Sequence, residues 1–266
     1  MKLTLLGTGN AMATRCYNTC FALRSGAACF LVDAGGGNGV LRQLELAQLP
    51  AESIEGMFIT HGHTDHILGA IWIVRKMAEL MKKGVYVGEF VIRCHQEAAE
   101  MLNTFCKMTL APAQLRYVGN GIRILPVSPG AEFEALGMRI RTFDILSTKV
   151  KQFGFAAQLP DGTRLTCLGD EPYTPAADAR AEGSDWLLSE AFCLHADRTR
   201  FHPYEKHHST ALDAGRMAES LGVKNLVLYH TEDKTLATRK ERYAAEAKEA
   251  FSGRVFVPDD LETIVL

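Results

Sequence analysis

The run Thr60-His61-Gly62-His63-Thr64-Asp65-His66 places three imidazoles and one carboxylate within six consecutive positions, 61 to 66. Neutral imidazole nitrogen and carboxylate oxygen are the ligand types that suit Zn²⁺ and similar divalent ions. The run follows an apolar, strand-like stretch, Met57-Phe58-Ile59, so its four side chains are expected at the carboxyl end of a strand. A helix over 67–81 is expected to hold the turn in place. Several imidazoles at one point repel one another once protonated, and a metal removes that repulsion by keeping them neutral. The bland alternative, a polar turn with incidental histidines, leaves the density of the pattern unexplained.

Working outward from this turn, residues 3–6, 19–23 and 29–32 read as short strands, and Asp33-Ala34-Gly35-Gly36-Gly37 ends that meander. Helices are expected over 40–47 and 97–105, with strands over 57–60 and 90–94. From 115 to 167 the pattern changes to successive strands, over 122–127, 132–136, 138–143, 153–159 and 164–168, separated by turns such as Pro160-Asp161-Gly162. Strands over 186–189 and 226–229 then alternate with helices over 211–221 and 236–250. Two βα halves in this order predict one α/β (α+β) domain spanning 1–266, in four layers, with two mixed sheets stacked inside and helices outside.

The composition is that of a globular chain, 47% apolar and 23% charged. Twenty-nine basic against 31 acidic residues weigh against a function built on bulk nucleic-acid electrostatics. No apolar stretch approaches the ~18 residues of a membrane span. Met1-Lys2-Leu3-Thr4-Leu5-Leu6-Gly7 turns polar too soon for a secretory signal. Seven cysteines without a pairing pattern then predict reduced thiols in a cytoplasm, and Cys16 and Cys20 are a weak zinc pair on their own.

Two divalent ions need about eight ligand positions, some of them water, so residues 61–66 are not the whole site. Asp170 follows Leu165-Thr166-Cys167-Leu168-Gly169, and His230 follows Leu226-Val227-Leu228-Tyr229; each ends an apolar strand. A strand-end Asp is often only a helix cap and a lone His often only packed. The same strand-end context twice, beside the cluster at 61–66, favours ligation, and a carboxylate such as Asp170 can bridge two cations.

With these residues in view the chain resembles the metallo-β-lactamase-fold hydrolases, and within them the tRNA 3′-processing endonuclease (ribonuclease Z) branch. The likeness runs through Leu6-Gly7-Thr8-Gly9, Phe30-Leu31-Val32-Asp33-Ala34-Gly35, the 60–66 run with Gly69, Phe153-Gly154-Phe155, Gly169-Asp170, Ser189-Glu190-Ala191-Phe192, His207-His208-Ser209-Thr210 and Leu226-Val227-Leu228-Tyr229-His230. The resemblance implies a four-layer αββα sandwich of the metallo-β-lactamase type and two divalent ions, zinc first, with manganese or iron as alternatives. It implies that His61, His63 and Asp170 hold one ion and Asp65, His66, His230 and Asp170 the second, with a hydroxide between them as nucleophile. It also implies that His208 protonates the leaving oxygen while Glu190 orients its ring, and that Asp33 braces the site. Ser209 and Thr210 equally mark a helix start after His208. Asp65, His208 and Glu190 are thus the expected catalytic residues, and a homodimer is implied by the similarity.

Two departures matter. Where the family carries a further metal-binding histidine, six residues before the Gly-aromatic pair, this chain has Thr148, so the first site is expected to be weak. The long basic arm with which the tRNA-processing enzymes grip tRNA is missing, since only residues 155–168 fill that interval. A small phosphodiester is therefore the expected substrate and tRNA a doubtful one. The rival readings are a hydrolase of carboxylic esters, thioesters or lactones, and a non-catalytic metal-binding or sensing protein. Arg198, Arg200, His202, Lys206 and His207 form a basic run that either steers an anion or is a solvated loop. His95 and His195 have no spacing that supports ligation.

Overall fold

The computed structural model describes residues 1–172 and 181–266. Strands β1 (Lys2–Gly7), β2 (Cys20–Ser25) and β3 (Ala28–Val32) form an antiparallel meander. Helix α1 (Gly39–Leu46) then returns the chain to β4 (Ile54–Phe58), parallel to β3. Helix α2 (Thr64–Lys82), strand β5 (Phe90–Cys94), helix α3 (Gln96–Thr109), the single turn α4 (Pro112–Leu115) and strand β6 (Ile122–Pro126) continue the parallel half.

The second sheet repeats the plan. β7 (Glu132–Ala135), β8 (Met138–Asp144), β9 (Phe153–Gln158) and β10 (Arg164–Cys167) run antiparallel. From β10 onward the order is parallel, through β11 (Trp186–Glu190), the turn α5 (Arg198–Phe201), helix α6 (Ala211–Ser220), β12 (Asn225–Tyr229), helix α7 (Arg239–Lys248) and β13 (Arg254–Phe256). β14 (Thr263–Val265) closes the first sheet beside β1. Among the described residues the strands make two seven-stranded sheets, ordered β14-β1-β2-β3-β4-β5-β6 and β13-β12-β11-β10-β9-β8-β7.

Strand alternation explains how the layers stack. In β12 the entire stretch Asn225–Tyr229 is buried, as a parallel strand covered on both faces must be. Val227 and Tyr229 face the first sheet, together with Leu188 and Leu165, where they meet Leu3, Leu5, Phe21 and Phe30. Phe58 packs edge-on to Phe155 at 5.5 Å across this middle layer. Leu226 and Leu228 turn the other way, under Ala211, Ala214 and Ala218 of α6 and Tyr243 of α7. The outer face of the first sheet is covered likewise, Leu31, Met57 and Ile59 packing under Val40, Ile73, Val74 and Leu102. The result is the expected sandwich of two mixed sheets with helices outside. Among the described residues no helix is long and apolar enough to cross a membrane.

Helix α2 starts at Thr64, not at 67 as the periodicity predicts, so Asp65 and His66 lie in its first turn, after the extended His63. The helix then docks against the loop after β3 so closely that Gly69 N–H donates to the Gly35 carbonyl at 2.9 Å. A methyl group on Gly69 would sit 1.9 Å from the Ala34 carbonyl oxygen. Gly69→Ala is therefore expected to destabilise the fold by about 1–3 kcal/mol or more through overpacking. Urea unfolding of the purified variant measures this, and an unchanged midpoint would refute it. The expected helix over 236–250 begins only at Arg239, after a 3₁₀ turn over Leu236–Thr238.

Candidate metal centre

Ligand-type side chains meet where parallel strands of both sheets end. β4 leads into His61 and His63, β10 into Asp170, β11 ends in Glu190, and β12 leads into His230. Gly169, at φ +77°, turns the chain so that Asp170 faces inward, and Tyr229 Oη donates to its carbonyl at 2.7 Å. Asp33 (φ +56°) and His230 (φ +57°) occupy the left-handed region, which is costly for residues other than glycine and concentrates at functional sites.

Hydrogen bonding fixes which ring nitrogens carry lone pairs. Asp33 Oδ2 accepts from Thr60 Oγ1 at 2.7 Å, so the hydroxyl has spent its one hydrogen. His61 Nδ1, 2.9 Å from the same hydroxyl oxygen, must then be the donor, and His61 Nε2 keeps a lone pair. His66 Nδ1 donates to Asp33 Oδ2 at 2.7 Å, which leaves His66 Nε2 as the nitrogen that takes either a second proton or a cation.

These atoms converge. Asp170 Oδ2 lies 3.6 Å from His61 Nε2, 4.0 Å from His63 Nδ1, 3.9 Å from His66 Nε2 and 3.7 Å from His230 Nε2. Asp65 Oδ2 lies 3.5 Å from His66 Nε2 and 3.3 Å from His230 Nε2. Ligands about 2.0–2.1 Å from a tetrahedral zinc stand roughly 3.3 Å apart, so these separations are of the size a divalent ion imposes. His66 Nε2 and Asp170 Oδ1 are buried without a hydrogen-bond partner, as atoms awaiting a cation would be. Burial favours a neutral His66, but Asp65, Asp33 and Asp170 outweigh it and hold the imidazole up at about 9. Burial of Asp170 is likewise outweighed by His61, His230 and His66, which hold its carboxyl well below the usual range. The pocket thus concentrates negative charge, and the donor set fits a divalent cation.

His208 lies beside the cluster, its ring centre 5.2 Å from that of His230, with Glu190 buried behind it. Ser209 N–H and O–H both donate to Glu190 Oε1, at 2.5 and 2.8 Å, which leaves Oε2 facing His208 Nδ1 at 3.7 Å. Neither of those two atoms has another partner. Burial pushes Glu190 up to about 8 and pushes the His208 ring down to about 3, where the neighbouring His230 adds to the effect. Phe192 stacks flat on His208, with ring centroids 4.7 Å apart and planes 13° from parallel. The helix start expected from Ser209-Thr210 is present, Thr210 and Asp213 capping α6 reciprocally ahead of Ala211.

The structure therefore gathers His61, His63, Asp65, His66, Asp170 and His230 at one point and places His208 and Glu190 beside them. Thr148 is not at the cluster: its hydroxyl meets His207 Nδ1 at 2.8 Å, and the next residue, Lys149, reaches Asp170 instead. Of the basic run, Lys206 lines the same cavity of about 460 Å³ as His63, Lys149 and His208, with its ammonium 4.9 Å from the Phe192 ring centre. Arg198 donates to the His195 carbonyl, and His202 pairs with Glu205. His95 accepts from Ala98 N–H as the cap of α3. Cys16 and Cys20 are free thiols. Lys149 and Phe192 escaped the sequence reading as site residues, because neither belongs to a ligand-type pattern.

Asp33 accepts from His66 and, through Thr60, orients His61. Asp33→Asn retains a residue that tolerates the left-handed backbone while removing the charge. Metal affinity is expected to fall by about 10–100-fold, read by competition with a fluorescent chelator. An unchanged affinity would show that Asp33 only ties β3 to β4.

A family model described as Anti-Pycsar protein Apyc1 matches residues 1–244. The ribonuclease Z of Methanothermobacter thermautotrophicus is 27% identical over 305 aligned positions, covering 99% of this chain and 96% of that protein. Among solved structures, the metallo-β-lactamase fold protein YhfI from Bacillus subtilis superposes with a TM-score of 0.75 at 22% identity, covering 99% and 98% of the two chains. The short form of human tRNase Z gives 0.75 at 21% identity, covering 100% and 99%. The two-sheet sandwich is the metallo-β-lactamase fold.

Proposed function

The chain belongs to the Anti-Pycsar protein Apyc1 family, and on that premise we propose that it is a metal-dependent phosphodiesterase acting on small phosphodiesters. The observation that carries this reading is the convergence of four imidazoles within 4.0 Å of one carboxylate oxygen, Asp170 Oδ2, beside His208 in one cavity. In this reading His61, His63 and Asp170 hold one ion, and Asp65, His66, His230 and Asp170 hold another. When bound, such ions acidify a water and offset charge on phosphoryl oxygens.

The chain's own residues supply the rest. Asp33 and Thr60 lock the tautomers of His66 and His61, so both rings offer Nε2. His208 Nδ1 faces Glu190, whose buried carboxyl holds a proton, so the neutral ring gives its Nε2 proton to the departing alkoxide as Nδ1 takes one from Glu190. The Glu190 contact at 3.7 Å is longer than a hydrogen bond, as catalytic contacts often are before substrate binds. Phe192 keeps that ring in plane and dry.

Small substrates follow from what the chain lacks beside its relative. The alignment with the Methanothermobacter thermautotrophicus ribonuclease Z runs over 305 positions against 266 residues here, so the relative carries insertions that this chain does not. β9 and β10 are joined by a tight turn, Leu159 N–H donating to the Thr163 carbonyl. A cavity of about 460 Å³ matches small-molecule sites. A single 1–266 domain and a homodimer belong to the same proposal.

The test uses metal-free protein reloaded with Zn²⁺ or Mn²⁺ and offered bis(p-nitrophenyl) phosphate, p-nitrophenyl acetate and a precursor tRNA. Metal-dependent hydrolysis of the diester, well above the acetate and without tRNA cleavage, is expected. An inert diester beside a hydrolysed acetate would decide for the carboxyl-ester reading.

A further inference from the structure

The loop between β8 and β9 delivers an ammonium to the cluster. Lys149 Nζ stands 3.9 Å from Asp170 Oδ2 with its side chain 15% exposed, and no described atom hydrogen-bonds to it. The loop is pinned on both sides, by the bond of Thr148 to His207 and by the bridge of Gln152 to His61, so residue 149 faces inward. A buried ammonium without hydrogen bonds is costly unless a nearby charge compensates it. The charge it faces is the carboxylate that the four imidazoles share. A protonated amine has no lone pair, so Lys149 is not a ligand but a fixed positive charge beside the cation positions.

The two donor sets are also unequal. His66 and His230 have the Asp65 carboxylate as well as Asp170, and Asp33 stands behind His66. His61 and His63 have Asp170 alone. Lys149 bears on that poorer side, since its loop is bridged to His61 through Gln152 and its side chain lines the cavity together with His63. We infer that Lys149 is a built-in countercharge for Asp170 that makes the two metal positions unequal. The position at Asp65, His66, His230 and Asp170 binds a divalent ion tightly, and the one at His61, His63 and Asp170 binds weakly, because an ion there meets a like charge. Buried charges at this separation are little screened by salt. The inference rests on the division of ligands proposed above.

Zinc titrated calorimetrically into metal-free wild type, Lys149→Arg and Lys149→Met proteins tests it, with thermal unfolding confirming that each is folded. Wild type and Lys149→Arg are expected to take one equivalent tightly and a second at least about tenfold more weakly, while Lys149→Met narrows the gap by about tenfold or more. Lys149→Gln gives the same comparison if Lys149→Met does not fold. Two equal equivalents in wild type, or a second affinity unchanged without the ammonium, would overturn the inference. Turnover is a separate readout. Diester hydrolysis with two equal zincs keeps the function and loses the countercharge; unequal zincs without hydrolysis do the reverse.

Discussion

Asp170→Asn lowers metal affinity by more than about a hundredfold and removes metal-dependent turnover. Loss of a partner behind a ligand already costs about 10–100-fold in affinity, and Asp170 lies in the ligand shell itself. Its Oδ2 lies within 4.0 Å of His61, His63, His66 and His230, and Oδ1 is buried without a partner. Asparagine has nearly the same shape but no charge, so a cation held there would lose a counterion. Removing a negative charge from among buried imidazoles also leaves the Lys149 ammonium uncompensated. Elemental analysis after dialysis and a chelator competition measure the change. A variant that retained wild-type metal content and rate would show that the convergence on Asp170 is only structural.

His208→Ala is expected to reduce kcat by about 10²–10⁴-fold, the usual worth of a positioned proton donor, with metal content unchanged. His208 stands beside Asp170 and His230, within 4.8 Å by ligand-type atoms, so loss of metal is the competing explanation. Measuring zinc content beside kcat and KM separates the two. Glu190→Gln should share part of the effect, since only its Oε2 faces His208 while Oε1 is held by Ser209. A His208→Ala protein with wild-type kcat on a diester with an alkyl leaving group would remove His208 from the proton transfer. An activated leaving group needs little protonation, so a diester with an alkyl leaving group is the sharper substrate.

Much of the centre was legible because its signals are local. The density of His61, His63, Asp65 and His66 needs no tertiary knowledge to mark it, and the buried run Asn225–Tyr229 announces a strand covered on both faces, with His230 at its end. The alternation of β8 was equally plain. Other features have no local signature. β13 and β14 have three residues each and are partly exposed, too short for a period of two to show. The start of α2 was missed because its first turn is spent on Asp65 and His66, polar side chains buried by the site rather than by an apolar stripe.

The direction of the loop before β9 was not readable either. Its path depends on Leu146 at φ +61°, a backbone conformation that no rule assigns to leucine, and on the distant partners His61 and His207. Position along the chain pointed to Thr148, whereas the tertiary contacts bring in Lys149. The left-handed backbones of Asp33 and His230 are hidden for the same reason, since the surrounding strands impose them.

The most direct test is anomalous diffraction at the zinc edge from crystals grown with zinc. The account predicts a peak bonded to Asp65, His66, His230 and Asp170, with any second peak, at His61 and His63, lower in occupancy. Zinc bound elsewhere with these side chains bare, or Asp170 turned away from the imidazoles, would contradict it.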